Sequence, residues 1–147
     1  MIEYIAMDAS HTAQIAELEK LCFSAPWSES SIIYELTNPL SLWLVAVEDG
    51  IVAGYVGSQS VMDEADMMNI AVAPQYRRQG VACELVQRLV AALADNGVRC
   101  LTLEVRASNE AARALYDKLD FHEVGRRPNY YRNPKEDALI LRKEWDV

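Results

Sequence analysis

The stretch from Asn69 to Gly97 constrains this chain more than any other. It opens with Ile70-Ala71-Val72, a short apolar segment stopped by Pro74, as suits a buried strand end. A basic turn follows, Arg77-Arg78-Gln79-Gly80. From Val81 the apolar residues fall at 81, 82, 85, 86, 89, 90, 92 and 93, the spacing of a helix with a broad buried face. Gly97 is placed to end that helix as a C′ residue. The order is therefore strand, basic glycine turn, helix.

A helix N-terminus carries unpaired N–H groups and about half a positive charge. Arg77 and Arg78 add cations beside it, and Gly80 lets the backbone approach a ligand closely. These features describe an anion site suited to phosphates. The structural alternative is a solvated basic turn before an ordinary core helix. No Gly-Lys-Ser/Thr follows, so the turn is not a P-loop, and a single glycine is not the dinucleotide fingerprint.

The chain's 147 residues, 51% of them apolar, suit one domain over 1–147 with a proper core. No apolar run reaches transmembrane length, and Met1-Ile2-Glu3-Tyr4 has no secretory pattern, so a cytoplasmic protein with no membrane partner is expected. Cys22, Cys83 and Cys100 form no Cys-x-x-Cys pair and read as reduced thiols rather than catalytic groups. With only His11 and His122, neither a metal site nor a histidine triad is expected. Residues 1–76 carry 11 acidic and 1 basic residue, whereas residues 77–147 carry 11 acidic and 13 basic. The acidic total argues against direct nucleic-acid binding. The asymmetry allows an anionic cofactor in the second half and a cationic substrate along the first, with plain solubility as the alternative.

The rest of the chain alternates short strands and helices. Strands are expected at Ile2 to Met7, Leu42 to Val47, Ile51 to Ser60, Asp66 to Val72, Cys100 to Arg106, Phe121 to Arg127 and Ala138 to Arg142. Helices are expected from a Ser10 cap to Cys22, from a Ser28 cap to Asn38-Pro39, and from an Asn109 cap to Leu119. Gly54 and Gly57 mark a bulge or a close approach in their strand. The pattern is a mixed α/β (α+β) domain, with a mostly antiparallel sheet flanked by helices.

Two residues stand out for chemistry. Leu101, Leu103 and Val105 alternate with Thr102, Glu104 and Arg106, giving this strand one polar face and pointing Glu104 into a cleft. Glu104 can take a proton from a nucleophile, directly or through water; a salt bridge to Arg106 or to a helix residue is the structural alternative. Ala112, Leu115, Tyr116 and Leu119 share one helix face, so Tyr116 faces inward, as a proton donor or as a packed core residue. Asn109 is a helix cap or a ligand contact.

Arg77-x-x-Gly80-x-Ala82 resembles the acetyl-CoA pyrophosphate loop of the GNAT N-acetyltransferase superfamily. Leu103-Glu104-Val105 and Asn109-x-x-Ala112-x-x-Leu115-Tyr116-x-x-Leu119-x-Phe121 resemble the second half of that domain. Phe23-x-x-Pro26-Trp27-Ser28, Tyr130-Tyr131 and Pro134-x-Glu136-Asp137-Ala138 are similar to the RimI family of N-terminal acetyltransferases. Its bacterial members act on the N-terminal alanine of the eighteenth small-subunit ribosomal protein. The resemblance runs from Ile2 to Arg142.

It implies a GNAT fold, acetyl-CoA as co-substrate, no metal, and a basic ribosomal-protein N-terminus as partner. It also implies that Ile70, Ala71 and Val72 present backbone to the acetyl and pantetheine parts. Arg77, Arg78, Gln79, Gly80, Val81 and Ala82 would hold the pyrophosphate, and Asn109 the pantetheine region. Glu104 would be general base and Tyr116 general acid, with direct attack in a ternary complex. Pro26, Trp27, Tyr130 and Tyr131 would shape the acceptor groove. The charge map adds Glu35 and Asp63 to Asp66 as acidic groove residues. An α-amine of pKa about 7.8 is roughly a quarter neutral near pH 7.3, whereas a lysine at about 10.4 is under ~0.1% neutral. One carboxylate is thus an easier base for an N-terminus. The alternatives are a broader N-terminal, lysine or small-amine acetyltransferase, or a non-catalytic coenzyme-A-binding module.

Overall fold

The computed structural model describes residues 1–146. The elements are β1 (Glu3–Ala6), α1 (Thr12–Cys22), α2 (Glu29–Glu35), β2 (Ser41–Glu48), β3 (Ile51–Val61), β4 (Glu64–Val72), α3 (Val81–Asp95), β5 (Cys100–Arg106), α4 (Glu110–Lys118), β6 (His122–Tyr131) and β7 (Glu136–Glu144). One seven-stranded sheet takes the order β1-β2-β3-β4-β5-β7-β6. Every pairing is antiparallel except β4 with β5. This is the mixed, mostly antiparallel architecture that the alternation of elements implied.

Each face of the sheet has its own core. Leu85, Leu89 and Leu93 of α3 pack with Val56, Leu101, Leu103 and Leu139 on one side. On the other, Ile15 and Leu18 of α1 and Ile32 of α2 pack on Trp43, Val45 and Tyr55. β3 lies between the two layers, so Val52 to Ser58 are buried on both faces and its sequence shows no polar alternation.

Helix ends follow local chemistry. The Ser28 hydroxyl accepts from Ser31 N at 3.2 Å, and Asn109 Oδ1 accepts from Ala112 N at 3.1 Å. Gly97 has φ +80° and donates to Ala94 O, while Val98 N donates to Leu93 O, which closes α3 with a Schellman motif. The expected Ser10 cap differs. Ser10 turns back to Asp8 Oδ1, and the N-cap falls one residue later, at His11, whose side chain makes no capping bond. β6 and β7 also run further than their apolar residues indicated. The two strands rejoin at Tyr131 and Glu136 after a break in register, where side-chain pattern carries no signal.

Gly57 marks a close approach. A Cβ there would collide with the indole ring of Trp43. Trp43 in turn stacks on Tyr55 at 6.0 Å and meets Trp27 edge-on at 5.4 Å. Gly57→Ala is expected to lower stability by about 1–3 kcal/mol through overpacking. Urea unfolding followed by tryptophan fluorescence measures it, and a wild-type midpoint would show that Trp43 has room to move.

Candidate active site

β4 and β5 pair only through Glu64–Asp66 and Cys100–Thr102, then part company. Beyond that point β4 stays on β3 as far as Val72, and β5 stays on β7 as far as Arg106. Each strand therefore turns one unpaired edge toward the other, and a cleft of about 780 Å³ opens between them. Ala73 N donates to Ala53 O, and the register runs Ala71 against Tyr55 and Val72 against Gly54. Antiparallel alternation then turns the backbone of Ala71 toward β3 and that of Ile70 and Val72 toward the opening. A bulge leaves Met68 without a partner, since Gly57 opposes Asn69 and Ser58 opposes Met67. Met67 to Ile70 line the cleft floor.

The walls come from four elements. Phe23 and Trp27 stand in the α1–α2 connection, Glu104 and Arg106 on β5, Asn109 and Tyr116 at α4, and Tyr130 and Tyr131 on β6. Glu104 and Tyr116 thus open on one cavity. Tyr116 is buried, its hydroxyl donates to Met67 Sδ at 3.7 Å, and its ring meets Phe121 edge-on. Burial raises its pKa above the ordinary phenol value, and the neighbouring Tyr131 adds to that, so it stays protonated at neutral pH. Tyr131, which lines the same cleft as Glu104, is pushed up to about 12, first by burial and then by the charge of Glu104. Arg106 holds this wall. It donates to Pro134 O at 2.9 Å and Arg132 O at 2.8 Å, pairs with Glu136, and lies 4.5 Å over the Tyr131 ring.

The glycine turn leads from the end of β4 into α3. Gly80 is the N-cap at φ +79°, and no side chain caps the first turn. An added Cβ would meet nothing within 4 Å, so the space beside Gly80 at the start of α3 is open. Arg77 departs from expectation. Its Nε donates to Val72 O at 3.2 Å and its Nη2 reaches Cys22 Sγ at 3.5 Å, because Val72 O is an unpaired carbonyl of the open β4 edge. Gln79 likewise turns to Gln75 O. Among the described residues, Arg78 is the cation of this turn without an ion pair or side-chain hydrogen bond, and its φ of +64° shows the tightness of the bend.

Some expected residues lie elsewhere. Glu104 pairs with Arg127 at 3.2 Å, not with Arg106, because Glu136 has already engaged Arg106. Glu35 is only 4% exposed and accepts from Gln59, Asn38 and Trp43, so it cannot meet a peptide. Burial would raise its carboxyl, but those hydrogen bonds outweigh that and hold it below its ordinary value. Asp63 pairs with Arg99 at 2.7 Å, and Glu64 lies by Cys100, at the closed end of the splay. The expected acidic groove is therefore not formed by these residues. Pro26 is exposed and outside the cleft lining, whereas its neighbours Ala25 and Trp27 are in it.

Sequence reasoning missed Glu19. It is 1% exposed and accepts from Asn69 Nδ2 at 2.7 Å, Trp27 N at 2.8 Å and the Tyr55 hydroxyl. One buried carboxylate thus ties the cleft floor, its α1–α2 wall and β3 together. Its spacing of i+4 from Ile15, with Cys22 a further turn on, was the available signal: an acid on the apolar face of a helix.

Residues 12–121 match the acetyltransferase (GNAT) family. The chain is similar to the ribosomal protein bS18-alanine N-acetyltransferase of Escherichia coli, with 40% identity over 84% of each chain. The crystal structure of the Escherichia coli ribosomal-protein-S18-alanine N-acetyltransferase superposes with a TM-score of 0.92 at 35% identity, covering 100% of this chain and 96% of that one. The NatC complex bound to Gag peptide and CoA superposes with a TM-score of 0.87 at 25% identity, covering 99% of each chain.

Glu19→Ala is expected to lower the unfolding free energy by about 2–5 kcal/mol, since one buried and two part-buried donors lose their acceptor. Tyr55→Phe, which leaves Glu19 two donors, should cost about 1 kcal/mol. Urea denaturation of both variants gives the comparison; equal, small losses would show that Glu19 does not hold the three segments together.

Proposed function

We propose that this chain, which belongs to the acetyltransferase (GNAT) family, transfers the acetyl group of acetyl-CoA to the N-terminal alanine α-amine of ribosomal protein bS18. The observation that carries the reading is that Glu104 and Tyr116 face one cleft across the open edge of β4. The similarity to the Escherichia coli enzyme supports the choice of acceptor. None of the described residues forms a helix long and apolar enough to cross a membrane.

The site fits acetyl-CoA. The uncapped first turn of α3, Gly80 and Arg78 offer N–H groups and charge to a pyrophosphate. The open edge of β4 turns the backbone of Ile70 and Val72 to the acyl and pantetheine parts, with Ile70 N donating to Asn69 Oδ1 at 3.2 Å and Val72 O covered by Arg77 before the ligand enters. An N–H there would support negative charge on the thioester oxygen as the amine attacks. Asn109 Oδ1 is engaged as the α4 cap, which leaves its amide nitrogen as a donor for the ligand. Glu104 accepts the amine proton, directly or through water, as the N–C bond forms. Tyr116 gives its proton to the sulfur as the C–S bond breaks. Trp27, Tyr130 and Tyr131 line the acceptor side.

Intact-mass analysis of Ala-starting peptides after incubation with acetyl-CoA tests the reading, and peptides that gain no acetyl group would overturn it. Glu104→Gln and Tyr116→Phe are each expected to lower kcat by about 10²- to 10⁴-fold with little change in acetyl-CoA binding. The Glu104→Gln loss should shrink at high pH, where the amine is already neutral. If that variant keeps more than about half of the wild-type kcat at pH 7, Glu104 is not the base.

Gly80→Val is expected to weaken acetyl-CoA binding at least ~10-fold in a folded protein, because it puts a branched side chain in the open space at the start of α3. The positive φ adds a strain of about 1–2 kcal/mol. Calorimetry with acetyl-CoA reads the effect, and near-normal affinity would remove the turn from the cofactor site.

A further inference from the structure

Glu104 has a partner that acetyl transfer does not itself require. Arg127 of β6 sets its Nε 3.2 Å from Glu104 Oε2, at the last in-register position before β6 breaks step with β7. Its guanidinium also lies 5.6 Å from the centre of the exposed Tyr130 ring. Its side chain is more than half exposed, and among the described residues its side-chain partners are Glu104 and the Tyr130 ring. Arg106, by contrast, staples two backbone carbonyls.

We infer that Arg127 makes this site select the neutral form of the amine. The inference rests on the reading of Glu104 as the base. A lone carboxylate at the point of attack would bind an incoming ammonium as an ion pair. That pairing favours the protonated amine, which has no lone pair for attack. With Arg127 on it, Glu104 belongs to a neutral pair and offers an ammonium no net charge. A neutral amine can still give its proton to the carboxylate, directly or through water. The Tyr130 face provides a second resting place for the guanidinium when the acceptor enters.

The other groups around Glu104 do not supply the same balance. Tyr131 and Tyr130 of β6 and Tyr116 of α4 are phenols, and Tyr131 and Tyr116 are held protonated by burial. Arg106 of β5 is engaged by Glu136 of β7, and Arg142 of β7 by Thr102. Glu19 of α1 lies behind Asn69 and is itself saturated by donors. β4 contributes Met67, Met68 and Asn69, with no charge.

The test is the pH dependence of kcat and KM for an Ala-starting peptide, in the full-length wild type, Arg127→Gln, Arg127→Lys and Glu104→Gln. For Arg127→Gln, KM at about pH 6.5 should fall about two- to fivefold, the range of a partly exposed ion pair. Its kcat at that pH should fall as well, and the midpoint of the rise in kcat should move roughly half a pH unit alkaline. Arg127→Lys keeps the charge and should restore the wild-type midpoint. An Arg127→Gln protein whose KM is unchanged or raised, or whose midpoint stays put while kcat merely scales down, overturns the inference. Glu104→Gln at wild-type kcat would instead overturn the base assignment on which it stands, so the two failures are told apart.

Discussion

The parting of β4 from β5 after three paired residues is the constraint on which the rest of the structure depends. Backbone groups in a sheet interior must pair, and a strand that abandons its neighbour leaves a row of donors and acceptors exposed. Here those groups face a cavity instead of another strand. Several features serve to keep the gap open. The bulge at Met68 changes the course of β4, and Gly57 lets the Trp43 ring lie against β3 beneath it. Arg77 covers the carbonyl of Val72, and Glu19 anchors Asn69 from behind. Arg106 anchors the β6–β7 hairpin on the far side. The cleft is thus a property of strand pairing, and side chains from four elements only finish its walls.

Electrostatics divides the molecule differently from the way its halves suggest. The first half holds almost no cations, yet several of its acids have separate structural work. Glu19 and Glu35 are buried acceptors, Asp63 pairs with Arg99, and Glu48 meets the chain's own N-terminus. The charges that line the cleft, Glu104 and Arg106, belong to the second half, and Arg127 and Glu136 already balance them. A net charge counted along sequence therefore gives no field at the site. The field comes from where each charge is neutralised.

What was legible in the sequence has a common physical basis. Periodicities of 2 and 3.6 exposed the polar face of β5 and the inward Tyr116, and local hydrogen-bonding chemistry exposed the Asn109 cap and the Gly97 stop. Those signals depend on a few neighbouring residues. What was not legible depends on distant ones. Arg77 folds back onto Val72 because that carbonyl lacks a strand partner, which follows from topology and not from the turn. Glu35 looks like a helix-surface acid until Trp43 and Gln59 are brought against it. Arg127 sits just before the register break of an exposed strand whose sequence shows no alternation, so the sheet order β5-β7-β6 is needed to reveal that it reaches Glu104.

The two proposed proton-transfer groups also differ in a way that gives the cleft a direction. Glu104 is open to solvent, where a carboxylate can pass its proton to water between turnovers. Tyr116 is buried, with a methionine sulfur as its hydrogen-bond partner and no carboxylate bonded to it. Leaving a phenolate in that place is costly, so the hydroxyl keeps its proton and can only donate it toward negative charge that develops beside it. Such charge develops on the sulfur as the C–S bond breaks, and not on a neutral thioester. The same burial that keeps Tyr116 protonated thus leaves it as a donor at the moment of bond cleavage. The wet carboxylate and the dry phenol stand on a single cavity because β5 and α4, which carry them, both flank the gap that β4 leaves open.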